Sequence, residues 1–146
     1  IHFTDTVMGG ISSGKLAYQI DDNEKYYRLT GDVNTENNGG FIQFATEIKK
    51  VDNNNFTGIR LRVRGNGESY QLHLRTRMTK LPWQYYSQEF ITTEDWNVVE
   101  LPFSKFKKSN FYQPKSFKPN AIRSIGIVAI GKDFQAEIDL AHIEFF

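Results

Sequence analysis

Apolar and polar residues alternate with a period of two along most of this chain. The clearest run is FTGIRLRVRGNGESYQLHLRTR. In it Ile59, Leu61 and Val63 alternate with Arg60, Arg62 and Arg64, and Tyr70, Leu72 and Leu74 alternate with Gln71, His73 and Arg75. A strand sends successive side chains to opposite faces, so each half predicts a β-strand with one face in a core. Gly65-Asn66-Gly67 lies between the halves and predicts a hairpin turn joining them. GKLAYQID, KYYRLTGDV, GGFIQFATEI, YYSQEFIT, WNVVELPF, RSIGIVAIG, FQAEIDL and HIEFF read as further strands bounded by Gly, Pro, Asn or Asp. The first two are expected to pair around Asp21-Asp22-Asn23. No long stretch repeats apolar residues at helical spacing, and a short turn within Pro102 to Lys108 is the most helix expected. Lys105 to Pro119 is the longest loop, with phenylalanines that predict a connection pinned to the core. The pattern predicts an all-β fold, an antiparallel β-sandwich, in one domain spanning residues 1–146.

Composition narrows the function classes. The 146 residues contain no cysteine, which removes disulfides, thiolate metal sites and cysteine nucleophiles. Eighteen basic and 17 acidic residues give a net charge of +1, so no whole-molecule field recruits nucleic acid, and no nucleic-acid partner is expected. No apolar run approaches the ~20 residues of a membrane span, and no membrane insertion is expected. A monomer without a cofactor is expected. The chain opens on Ile1 rather than methionine and reads as trimmed or processed, so a targeting segment would not be visible.

Candidate chemistry is sparse. Gly9, Gly10, Gly14 and Lys15 have the wrong spacing for a phosphate-binding loop and precede strand-like residues. Gly10-Ile11-Ser12-Ser13-Gly14 matches a nucleophile elbow literally, but that motif needs a strand-to-helix turn. His2, His73 and His142 show no ligand spacing. Asp5, Asp139 and Glu144 form a weak calcium set if the terminal strands pair. The sharpest signal is the two polar rows of the predicted hairpin. If they share a face, Arg62, Arg64, His73, Arg75 and Arg77 lie together, beside Trp83, Tyr85 and Tyr86. Flat rings flanked by arginines suit sugar rings or polar chains. The alternative is a solvated outer face whose arginines pair with Glu47, Glu89 and Glu100. Nothing singles out a carboxylate pair for hydrolysis.

DTVMGGISSG (Asp5 to Gly14) resembles the Asp-x-Val-Met-Gly-Gly-x-Ser opening of the complex I intermediate-associated protein family. The likeness continues through LTGDVNTENNGGFIQF, GIRLRVRGNGESYQLHLRT, WNVVELPFSKF and IRSIGIVAIGKDFQAEIDLAHIEF. It implies a jelly roll of the galactose-binding-domain-like type, a fold that includes carbohydrate-binding modules. It also implies a non-catalytic binding module, since mitochondrial members are assembly factors that act through protein contacts. In that light Asp5, Met8, Gly9 and Gly10 form a structural motif, with the glycines permitting a tight bend and Met8 filling the core behind it. Gly39 and Gly40 resemble the family's second glycine pair. The Asn-, Lys- and Phe-rich composition is similar to bacterial members; the compartment stays open between bacterial cytoplasm or periplasm and, for a eukaryotic chain, the mitochondrial matrix. Two partners follow, a protein by family analogy and a carbohydrate by fold analogy and the arginine–aromatic face, with a hydrolase as the remaining class.

Overall fold

The computed structural model describes residues 2–4, 13–36 and 40–146; of 2–4 and 13 it describes the backbone. Asp5, Met8, Gly9, Gly10 and Gly39 therefore lie outside the described residues. In chain order the strands are β1 (His2–Thr4), β2 (Ser13–Asp21), β3 (Glu24–Val33), β4 (Phe41–Glu47), β5 (Gly58–Gly65), β6 (Ser69–Thr76), β7 (Tyr86–Ile91), β8 (Asn97–Pro102), β9 (Lys107–Lys108), β10 (Ile122–Ile130) and β11 (Phe134–Phe145). They form two antiparallel sheets, one ordered β1-β4-β10-β6-β7-β9 and the other β2-β3-β11-β5-β8. This is the jelly-roll sandwich that the alternation and the family likeness predict. We call these the six-stranded and five-stranded sheets.

The β2–β3 hairpin forms as expected, with Asp21 opposite Glu24. Asp22 and Asn23 take positive φ values of 48° and 65°, the conformation a two-residue hairpin loop requires and that Asp and Asn tolerate. FQAEIDL and HIEFF are one strand, β11, with a register shift between Leu140 and His142. The expected short turn is a 3-10 turn at Phe103–Lys105. In the long loop Phe106 is buried and Phe117 packs on the core, whereas Phe111 points into solvent.

The predicted hairpin between β5 and β6 does not form. β5 pairs with β11 and β8, and β6 pairs with β10 and β7, so the two strands belong to opposite sheets. Gly65-Asn66-Gly67 is a corner that carries the chain across the sandwich. Gly67 sits at φ 84°, and a Cβ on Gly65 would lie 2.7 Å from Cβ of Thr92. Asn66 ties the corner down by donating to the Gln135 carbonyl (2.8 Å) and accepting from the Tyr70 hydroxyl (2.7 Å). The alternation is satisfied either way, because Ile59, Leu61 and Val63 face Leu72 and Leu74 across the core rather than lying beside them. These side chains are essentially fully buried, each contributing about 1.5–3 kcal/mol of burial free energy. The polar rows consequently emerge on opposite outer faces of the sandwich.

Candidate functional site

The outer face of the five-stranded sheet holds the arginine row, and its charges are internally matched. Arg28 donates to Asp139 at 2.8 and 3.0 Å, and Arg64 donates to the same carboxylate at 2.7 Å. Asp139 is 3% exposed, so a buried carboxylate is flanked by two guanidiniums. The bonds to Asp139 raise both arginines above their ordinary range. Arg62 pairs with Glu24, and Arg60 pairs with Glu100 (2.7 Å) and Glu144 (3.0 Å). The Arg64 guanidinium also lies 4.5 Å from the Trp96 ring centroid and 4.9 Å from that of Tyr26. Arg62 and Arg64 are thus held by carboxylates and rings, not presented beside His73 as the hairpin predicts. The pairing with Glu100 is the one named in the solvated-face alternative; Glu24, Asp139 and Glu144 supply the rest. Asp139 and Glu144 already accept from arginines, and Asp5 lies outside the described residues.

The outer face of the six-stranded sheet is built differently. Register places Ala45, Gly126, His73, Ser87 and Lys107 in one row across β4, β10, β6, β7 and β9. Ala45, Gly126 and the neighbouring Ser124 are small and leave the floor low. A Cβ at Gly126 would sit 3.0 Å from the Ala45 Cβ and 3.3 Å from Gln43 Oε1. Above this floor opens a cleft of about 610 Å³. One wall is apolar, with Phe41, Val128 and Ile130; the other is the β6–β7 loop, with Lys80, Leu81, Pro82 and Trp83.

Two arginines anchor that loop through its backbone. Arg75 donates to the carbonyls of Gln84 (2.9 Å) and Leu81 (3.4 Å), and Arg123 to those of Thr76 (2.9 Å) and Thr79 (2.8 Å). The Ser109 hydroxyl donates to the Trp83 carbonyl at 2.6 Å. Trp83 remains 52% exposed. Among the described residues no carboxylate lies within ion-pair distance of Arg75 or Arg123, and burial together with Arg123 holds Arg75 below the usual arginine range. His73 is 5% exposed, stacks on Tyr85 at 4.0 Å and 10°, and shares a 2.8 Å hydrogen bond with Gln71. Burial, and secondarily Arg75, push its pKa down to about 3, so the imidazole is neutral at physiological pH. Gln43 is 4% exposed, and its side chain borders the cleft.

Of the sequence candidates, His73, Arg75 and Trp83 meet in this cleft. Tyr86 does not: it is 1% exposed, sits in the core, and donates to the Pro114 carbonyl at 2.6 Å. Its neighbour Tyr85 takes the cleft position, because alternation sends one of any adjacent pair inward. Arg77 lies beyond the last residue of β6 and donates to the Asn120 carbonyl, away from the row. Gly40 has φ 118° and packs against Thr35. Gln43, Arg123 and Lys80 join the cleft unannounced. Arg123 and Gln43 come from strands that the sequence pattern does not place beside β6.

Two packed antiparallel sheets with a cleft across one outer face define the jelly-roll class. Solved structures of this shape include a family 11 carbohydrate-binding module of a cellulosomal cellulase of Clostridium thermocellum (TM-score 0.77, 12% identity, covering 94% of this chain and 84% of that one). A family 11 module from the same organism, in complex with a β-1,3-1,4-mixed-linked tetrasaccharide, gives TM-score 0.71 at 14% identity, over 99% and 94% of the two chains. A family 30 carbohydrate-binding module gives 0.65 at 12%, over 94% and 92%. At these identities the likeness is one of fold. The chain belongs to the complex I intermediate-associated protein 30 family, whose model matches residues 2–140. No curated protein sequence matches it.

Proposed function

We propose that this domain is a non-catalytic module that binds a glycan chain in the cleft of the six-stranded sheet. The observation that carries the reading is the convergence there of an exposed Trp83 ring, the Arg75 guanidinium without a carboxylate and the Gln43 amide, over a floor of small residues. A ring platform gives stacking area, and a few fixed polar groups give orientation, which is how sugar-sized ligands are held. Glu47 is the one carboxylate lining the cleft among the described residues, and His73 is held neutral, so the paired acids of glycoside hydrolysis have no counterpart there. The structural likeness to a module solved with a mixed-linked tetrasaccharide supports the same reading. Isothermal titration against a panel of neutral and acidic oligosaccharides tests it. Binding that Trp83→Ala weakens by about tenfold or more (about 1.4 kcal/mol) supports it; a panel without any binder contradicts it.

A protein partner is the second reading, favoured by family membership and by apolar residues in solvent. Met78, Phe111 and Tyr112 are 70%, 83% and 86% exposed, an arrangement suited to a protein contact. Replacing Phe111 and Tyr112 by serine would then abolish a specific protein complex while sparing the cleft.

A further inference from the structure

The two outer faces treat positive charge in opposite ways. On the five-stranded sheet each of Arg28, Arg60, Arg62 and Arg64 has a carboxylate partner. On the outer face of the six-stranded sheet, the cations lining its clefts have none among the described residues. The cleft is lined by Arg75, Lys80 and Arg123 against the single carboxylate of Glu47. Next to it, beyond Gln71 and Ser87, a second cleft of about 840 Å³ is lined by Lys105, Lys107, Lys108 and Lys115 against Glu89. Lys108 donates to the carbonyls of Phe111 and Gln113, but none of these lysines has an ion pair among the described residues. Among the described residues seven cations and two carboxylates line these two clefts, so the rest of the chain is net acidic, with 11 basic and 15 acidic residues. A nearly neutral protein has therefore concentrated unpaired positive charge along one sheet. Crowding like charges is unfavourable, and an arriving anion would relieve it.

We propose that the glycan of this site is acidic, with uronate carboxylates or sulfate esters that lie along the lysine cleft while a sugar ring stacks on Trp83. This rests on the glycan reading of the cleft. The row from Ala45 to Lys107 crosses five strands, about 19 Å at the usual strand spacing, which is long enough to seat an oligosaccharide across both clefts. A nucleic acid fits less well: bases need successive exposed rings along the charged track, and among the described residues Trp83 is the one exposed ring lining either cleft, while Phe111 and Tyr112, near Lys108, line neither. Lysines around a sheet face offer point charges that a flexible chain of carboxylates or sulfates meets in many conformations.

The test is calorimetric titration of the whole chain with oligogalacturonate, a sulfated galactan oligosaccharide, neutral mixed-linked β-glucan and a single-stranded oligonucleotide, at low salt and at about 0.3 M salt. One or both acidic glycans should bind about tenfold or more tightly than the neutral glucan, and lose affinity as salt rises; the two arms separate carboxylate from sulfate recognition. Lys105→Gln/Lys107→Gln/Lys115→Gln should remove most of that preference, the triple Lys→Arg variant should keep it, and Trp83→Ala should weaken the acidic glycan as well. Equal binding of neutral and acidic glycans, unaltered by Lys→Gln, overturns the acidic preference and leaves the glycan reading standing. Acidic binding unaffected by Trp83→Ala, or an oligonucleotide that binds more tightly, shows charge adsorption only and overturns it too. If neither kind of glycan binds, both readings fall.

Discussion

Asp139→Asn separates a structural arginine face from a ligand face. Its carboxylate is almost wholly buried and receives three hydrogen bonds from Arg28 and Arg64, both of which keep part of their surface in water. An asparagine is nearly isosteric, but its NH₂ turns one acceptor into a donor facing a guanidinium and leaves two cations without their shared anion. Breaking one partner of a buried ion pair costs about 3–5 kcal/mol; the partial exposure of the arginines reduces this to about 2–4. For a chain of this size that corresponds to a fall of about 5–15 °C in Tm. Urea unfolding followed by far-UV circular dichroism measures it, with an unchanged m-value showing that stability alone has moved. Glycan affinity in folded protein should stay within about twofold, because this carboxylate lies on the opposite sheet. A loss below about 0.5 kcal/mol, or a stable variant that no longer binds, would refute the assignment of these arginines to the scaffold.

Three further outcomes follow from the cleft and the core. His73 has a folded pKa of about 3, below its unfolded value near 6.5, so the unfolded chain takes up the proton first: its contribution is fully present above about pH 6.5 and is lost as pH falls toward about 3. The unfolding free energy measured by urea titration at a series of pH values should fall across that window, with a limiting slope near 1.4 kcal/mol per pH unit, and His73→Gln should flatten it; an imidazole NMR titration midpoint near 6.5 would contradict this. Gly126→Val fills the cleft floor against Ala45 and Gln43, so it should lower stability by about 1–3 kcal/mol and abolish glycan binding, read by thermal melts and calorimetry. Tyr86→Phe removes the hydroxyl bond to Pro114 and should lower stability by about 0.5–1.5 kcal/mol in urea unfolding with affinity unchanged.

The strands were readable because alternation is a local property: Leu61 and Leu72 each announce a core face without reference to a partner. Pairing is not local. A glycine-rich tripeptide between two alternating runs serves a hairpin within one sheet or a corner between two, and both bury the same side chains. Only the long-range partners, β11 beside β5 and β10 beside β6, decide, and the paired residues lie between 46 (Ile122 and Thr76) and 86 (Phe145 and Ile59) positions apart in sequence. That single ambiguity put Arg62 and Arg64 beside His73 when they emerge on the opposite face. Trp83 was legible as an exposed ring because it sits in a Pro-containing loop. Tyr86 was misplaced because two adjacent tyrosines carry no signal of which begins the strand. Gln43 and Arg123 become cleft residues only once β4, β10 and β6 are neighbours.

The two tryptophans mark the two faces, Trp83 at the cleft and Trp96 against Arg62 and Arg64. Trp96→Phe leaves Trp83 as the reporter, and Trp83→Phe leaves Trp96. The most direct test of the account is the fluorescence of each single-tryptophan protein titrated with the glycan that calorimetry identifies. Emission from Trp83 should shift and saturate with the calorimetric affinity, while Trp96 should stay constant in a protein whose affinity has dropped. A response from Trp96 with Trp83 silent would place the ligand on the arginine face and contradict the account.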